Sequence, residues 1–120
     1  MQKVLMAGAI LVGLAATPAA AKCVLPQIMF DFTNHMSANM EIGSGEYCSG
    51  DFKMPNIKID QAQVVQQPAR GLVNIDQKTL VWRYRPFKGF RGQDRFIIRL
   101  YGTKREVRSD GTIVFNVTVK

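Results

Sequence analysis

The side chains that could do chemistry in this sequence are few and scattered. His35 is the single histidine. Asp31 and Glu41 flank it, but no Gly-x-Ser-x-Gly elbow presents a nucleophile, and no glycine loop is arranged to cradle a phosphate. Hydrolysis by paired carboxylates needs two acids held at a fixed separation. Here 9 Asp and Glu are spread among 16 Lys and Arg, which supply them with partners for ion pairs. The chain therefore reads as non-enzymatic. Copper is the one metal the residue types raise, because Cu(I) favours soft thioethers and imidazole. Met29, His35, Met36 and Met40, with Met54 further on, lie within one segment. The alternative use of those methionines is to fill irregular gaps in a core, so no cofactor is assigned.

The stronger chemical signal is charge. The chain carries a net +7, and the excess is concentrated between residues 83 and 108. Arg83, Arg85, Lys88, Arg91, Arg95, Arg99, Lys104, Arg105 and Arg108 face only Asp94 and Glu106 there. Arginine dominates, and its planar fork suits bidentate recognition of carboxylate or phosphate. Arg83, Arg85, Lys88, Arg91, Arg95 and Arg99 are the candidate ligand-binding residues. The alternative is a solvated face that keeps a small domain soluble.

The N-terminus reads as a secretory signal peptide over residues 1–21. Lys3 gives the positive start, residues 4–16 form a short apolar run, and Pro18-Ala19-Ala20-Ala21 offers small residues for cleavage. The run is shorter than the roughly 20 residues of a membrane span, and no second apolar segment follows. Lys22 before Cys23 argues against lipidation. Residues 22–120 then form one exported domain, periplasmic or secreted from a bacterium, where nucleic acid is not the expected partner. In that oxidising setting Cys23 and Cys48 form the one available intramolecular disulfide. Loop-closure entropy values it at roughly 3 kcal/mol.

The elements that must position these residues are strands. Apolar residues recur with period two in short runs bounded by Gly, Pro, Asn and Asp. Strands are expected over 26–32, 56–65, 71–75, 79–84, 95–101, 104–108 and 112–119. Asp76-Gln77 fits a hairpin turn, Ser109-Asp110-Gly111 another, and residues 37–50 read as a loose loop held by Cys48. In 84–101, Pro86 ends a strand, Gly89 and Gly92 allow backbone angles closed to other residues, and Asp94 caps a turn. Phe90 and Phe96 close the end of the core. As a calcium ligand Asp94 would need six to eight oxygens, and few acids lie near it.

Three stretches carry a resemblance. They are Gln67-Pro68-Ala69-Arg70-Gly71-Leu72-Val73, Trp82-Arg83-Tyr84-Arg85-Pro86, and Gly89-Phe90-Arg91-Gly92-Gln93-Asp94-Arg95-Phe96, followed by a closing Val-Thr-Val strand. Over residues 67–120 the chain resembles the bacterial Ig-like and cadherin-like domains, with their Tyr-x-Pro-x-x-Gly-Phe-x-Gly-x-Asp-x-Phe core. The resemblance implies an all-β, immunoglobulin-like sandwich of about seven strands. It also implies a non-enzymatic binding or structural role at the cell envelope, toward a glycan, a lipid head group or a protein. In such a sandwich Arg83 and Arg85 lie on one sheet and Arg95 and Arg99 on the other, so they decorate two faces. Gly43-Ser44-Gly45-Glu46-Tyr47 also resembles, one residue short, the Ser-Gly-x-x-Tyr loop of bacterial lysozyme inhibitors. That resemblance implies an alternative role as inhibitor of an envelope-directed enzyme.

Overall fold

The computed structural model describes residues 23–24, 35–52 and 56–120. The signal peptide expected over 1–21, the strand expected at 26–32, Met29 and Met54 lie outside the described residues. The described residues form seven strands: β1 (Met36–Ile42), β2 (Cys48–Gly50), β3 (Ile57–Gln66), β4 (Gly71–Asp76), β5 (Val81–Pro86), β6 (Gly92–Lys104) and β7 (Val107–Val119). They form a four-stranded sheet in the order β1-β7-β6-β3 and a three-stranded sheet in the order β2-β5-β4. β1 runs parallel to β7; the other pairs are antiparallel. The protein is an all-β, two-sheet sandwich, with β1, β3, β6 and β7 in one sheet and β2, β4 and β5 in the other.

Strict alternation builds the core. β5 turns Trp82 and Tyr84 inward, and β7 turns Ile113, Phe115, Val117 and Val119 inward. Phe96 and Phe115, cross-strand partners on β6 and β7, stack with centroids 4.7 Å apart. Tyr84 stacks on Phe96 at 5.4 Å, and Trp82 lies 5.0 Å from Phe115. Four rings from two sheets thus make one aromatic column, a geometry that adds about 0.5–1.5 kcal/mol per pair beyond burial.

Two stretches of the loop expected over 37–50 are strand. Residues 36–42 alternate Ala38, Met40 and Ile42 inward with Ser37, Asn39 and Glu41 outward. The polar half of that alternation resembles loop composition. Cys48–Gly50 pairs with β5, so Cys48 is buried in the core. The expected strand at 104–108 and the turn at 109–111 are also corrected. β6 and β7 form one long hairpin, in register from Gly92↔Val119 to Lys104↔Val107. Its turn is Arg105-Glu106, with φ of 50° and 66°. Ser109-Asp110-Gly111 continues β7, because the ladder satisfies backbone groups that a turn would leave unpaired. Leu80, expected in β5, lies in the preceding turn with φ of 57°. Asp76 starts that turn, its Oδ1 accepting from the N–H groups of Lys78 and Thr79 at 2.8 and 3.3 Å.

The Cys23–Cys48 disulfide is formed across 25 residues and is compatible with an oxidising compartment. Val24 and Glu41 exchange backbone hydrogen bonds of 2.8 and 3.1 Å. Val24 is therefore stitched to the edge of the larger sheet and Cys23 to the smaller sheet.

Two stability outcomes follow. A tight hairpin with both central residues left-handed favours Asn-Gly, and each ordinary residue held there costs roughly 1–2 kcal/mol. Arg105→Asn with Glu106→Gly is expected to raise stability by about 1–2 kcal/mol, read as a higher urea midpoint at unchanged m. Replacing both cysteines by alanine is expected to lower it by roughly 2–4 kcal/mol, and adding reductant to that variant is expected to change nothing further.

Candidate ligand-binding face

One buried carboxylate positions the strands that carry the arginines. Asp94 on β6 is 8% exposed. Its Oδ1 accepts from the N–H of Ala69 at 3.0 Å and of Arg95 at 2.9 Å. Its Oδ2 accepts from the Tyr84 hydroxyl at 2.8 Å, and the Arg70 N–H bonds both oxygens at 3.3 and 3.2 Å. Asp94 therefore caps the 67–70 turn as well as its own backbone and joins β6 to β5 across the sandwich. Among the described residues no group of three or more His, Cys, Asp or Glu is placed to hold a metal ion. Burial, the hydrogen bond to Asp94 and the charge of that carboxylate push the Tyr84 phenol far above its usual range.

Pro86, Gly89 and Gly92 do the local shaping. Pro86 is buried at the end of β5. Phe90 N–H donates to Phe87 O at 3.0 Å, with Gly89 at φ 82°, which closes a type II turn with Lys88 at its apex. Gly92 enters β6 at φ 135°.

The six basic candidates do not converge. Arg83 and Arg85 point outward from β5 in the smaller sheet; Arg95 and Arg99 point outward from β6 in the larger one. Lys88 and Arg91 lie in the connecting loop. The two faces differ in how their charge is used. On the larger sheet Arg99 pairs with Asp110, Arg108 with Asp60 at 3.3 Å and Lys120 with Glu41 at 2.9 Å. Amides and hydroxyls pair across the same face: Asn116 with Asn39, Thr118 with Gln93, and Tyr101 with Gln63. On the smaller sheet Arg83 and Arg85 have no carboxylate partner among the described residues. Their guanidinium carbons instead lie 4.6 and 5.8 Å from the centroid of the Tyr47 ring. Leu72, 56% exposed, sits beside Arg85 in register, and Phe87, 50% exposed, continues the outward column of β5.

This arginine–aromatic face is the candidate site. The charge run reveals its two arginines, but Tyr47, Leu72 and Phe87 come from three separate stretches. Tyr47 precedes a three-residue strand too short to show a period, so its place beside Arg83 depends on the Ser49↔Arg83 register. Within the Gly43–Tyr47 loop, Ser44 N–H donates to Lys120 O at 2.8 Å, and Tyr47 lies back on its own sheet. Of the copper set, Met40 is buried at 2% exposure, Met36 packs against the core, and His35 Nδ1 is 2.6 Å from Thr112 Oγ1.

Three of the four sheet edges are obstructed. Gln67 bonds both backbone groups of Val73 at 3.1 Å, blocking β4. Register shifts interrupt β3 in two places, and Val24 bridges β1. Such devices discourage added strands. Among the described residues no helix is long and apolar enough to cross a membrane. Neither family models nor curated proteins match this chain.

The Tyr84 shift fixes the sign of a pH effect. The unfolded phenol ionises near pH 10 while the folded one keeps its proton, so the unfolded state binds fewer protons above that pH and stability falls as pH rises. Tyr84→Phe is expected to cost about 1–3 kcal/mol at neutral pH. It is also expected to flatten the decline above pH 10, as read from urea midpoints across pH 7–11.

Proposed function

We propose that this protein is an exported, non-enzymatic binding module of the cell envelope that recognises an anionic ligand through the outer face of its smaller sheet. The observation that carries this reading is the contrast in pairing. On the larger sheet Arg99 and Arg108 pair with carboxylates, whereas Arg83 and Arg85 are held only by an aromatic ring that orders a guanidinium without consuming its donors. Tyr and Arg are also among the residue types that supply most binding energy at protein surfaces. The obstructed edges favour recognition by a face over addition of a strand.

The oxidised protein is expected to bind peptidoglycan, lipopolysaccharide or membrane vesicles saturably at low salt and to release at high salt, since exposed charges are screened within about 8 Å at physiological ionic strength. Arg83→Glu with Arg85→Glu is expected to weaken binding on the order of tenfold or more, while Arg99→Gln, which removes an internally paired charge, changes it little. Binding that ignores both salt and the Arg83/Arg85 pair would make the charge a solubility feature.

A further inference from the structure

The candidate face does not stop at β5. Arg70 and Phe87 are joined by a backbone hydrogen bond of 2.8 Å from the Phe87 N–H to the Arg70 carbonyl, which extends the β4–β5 ladder past Gly71↔Pro86. Beyond it the chain turns through Lys88-Gly89, with Lys88 exposed at the apex and Arg91 exposed at the exit. Arg70 leans over the Phe90 ring at 5.8 Å. This end of the sandwich thus carries two exposed apolar side chains, Phe87 and Leu72, paired across the strands with Arg70 and Arg85 and followed in the chain by exposed Lys88 and Arg91. Asp94 beneath them is buried and already accepts from the protein. The exposed carboxylate nearest in the sequence, Asp76, lies at the other end of β4, and Glu46 lies on the loop whose Ser44 hydroxyl is 3.5 Å from the Phe90 carbonyl.

We infer that this tip docks on an anionic lipid leaflet, with Phe87 and Leu72 entering the head-group boundary and Arg70, Arg85, Lys88 and Arg91 meeting lipid phosphates. The inference rests on the anionic-ligand reading and gives it a partner. Three features select a lipid surface. The apolar residues stand on a protruding turn and an open sheet face, where a planar surface can reach them. Arg70, Arg85, Lys88 and Arg91 are all basic, which complements a leaflet carrying acidic head groups. Long cationic side chains keep their charge at the interface while their stems cover apolar surface, the arrangement found where an amphipathic surface lies on a membrane.

The test is flotation of the oxidised protein with vesicles of phosphatidylcholine alone and of phosphatidylcholine with phosphatidylglycerol, at low and high salt. Flotation with the anionic vesicles only, reduced by salt, is the expected result. Lys88→Ser with Arg91→Ser is expected to lower partitioning about 30-fold and Phe87→Ser about fivefold, while Arg95→Ser on the opposite sheet leaves it unchanged. Equal flotation with neutral vesicles, equal loss from Arg95→Ser, or complete displacement by millimolar glycerol phosphate would each overturn the lipid assignment. Absence of flotation with retained, Arg83/Arg85-dependent binding to peptidoglycan or an acidic protein would remove the leaflet and leave the broader reading standing. Absence of any salt-sensitive binding would remove both.

Discussion

A carboxylate in a protein interior is costly unless every lone pair is used, and Asp94 uses its own on four different residues. The sandwich depends on that arrangement because the partners come from separate elements. Tyr84 belongs to β5 of the smaller sheet, Ala69 and Arg70 to the turn before β4, and Asp94 and Arg95 to β6 of the larger sheet. The Tyr84 hydroxyl could not sit in an apolar column beside Phe96 without an acceptor, and Asp94 supplies it. Once Tyr84 is fixed pointing inward, the period of the strand sends Arg83 and Arg85 outward. The geometry of the exposed face is therefore set by a group that face never shows.

The strands whose two faces differ sharply in polarity were legible in the sequence. Trp82 and Tyr84 against Arg83 and Arg85, and Ile113 to Val119 against their polar neighbours, announce both the strand and its inward side. The segregation of the arginines onto two faces follows from the same alternation once a sandwich is assumed. Residues 36–42 alternate as well, but Ser, Ala, Asn and Met carry a weak signal that the parallel partner β7 completes. The Arg105-Glu106 turn was hidden for a different reason. Nothing local favours two left-handed residues there, and the thirteen-pair ladder between β6 and β7 imposes them. Ser109-Asp110-Gly111 shows the converse, a strong turn composition overridden by pairing. Tyr47 stayed hidden because its role is defined by residues 36 and 38 positions away.

The two outer faces solve the problem of a basic surface in opposite ways. The larger sheet spends its polar groups on one another, in ion pairs and in amide and hydroxyl pairs that run across its strands. The smaller sheet leaves its guanidiniums oriented by an aromatic ring and bordered by exposed aliphatic and aromatic side chains. Exposed ion pairs contribute little to stability, so the internal pairing matters chiefly for what it makes unavailable.

The disulfide has a mechanical meaning. β1 and β7 run parallel with Met36 opposite Ile113 and Ile42 opposite Val119. Tension drawn through the chain at residues 23 and 120 would by itself shear every hydrogen bond between them at once. With Cys23 bonded to Cys48, that tension crosses directly to β2 and bypasses the covalent path from Val24 to Tyr47. In the oxidised protein β1 is thus shielded from stretching. Reduction would reroute the force into the β1–β7 seam, so the redox state chooses which strands resist a pull on the chain.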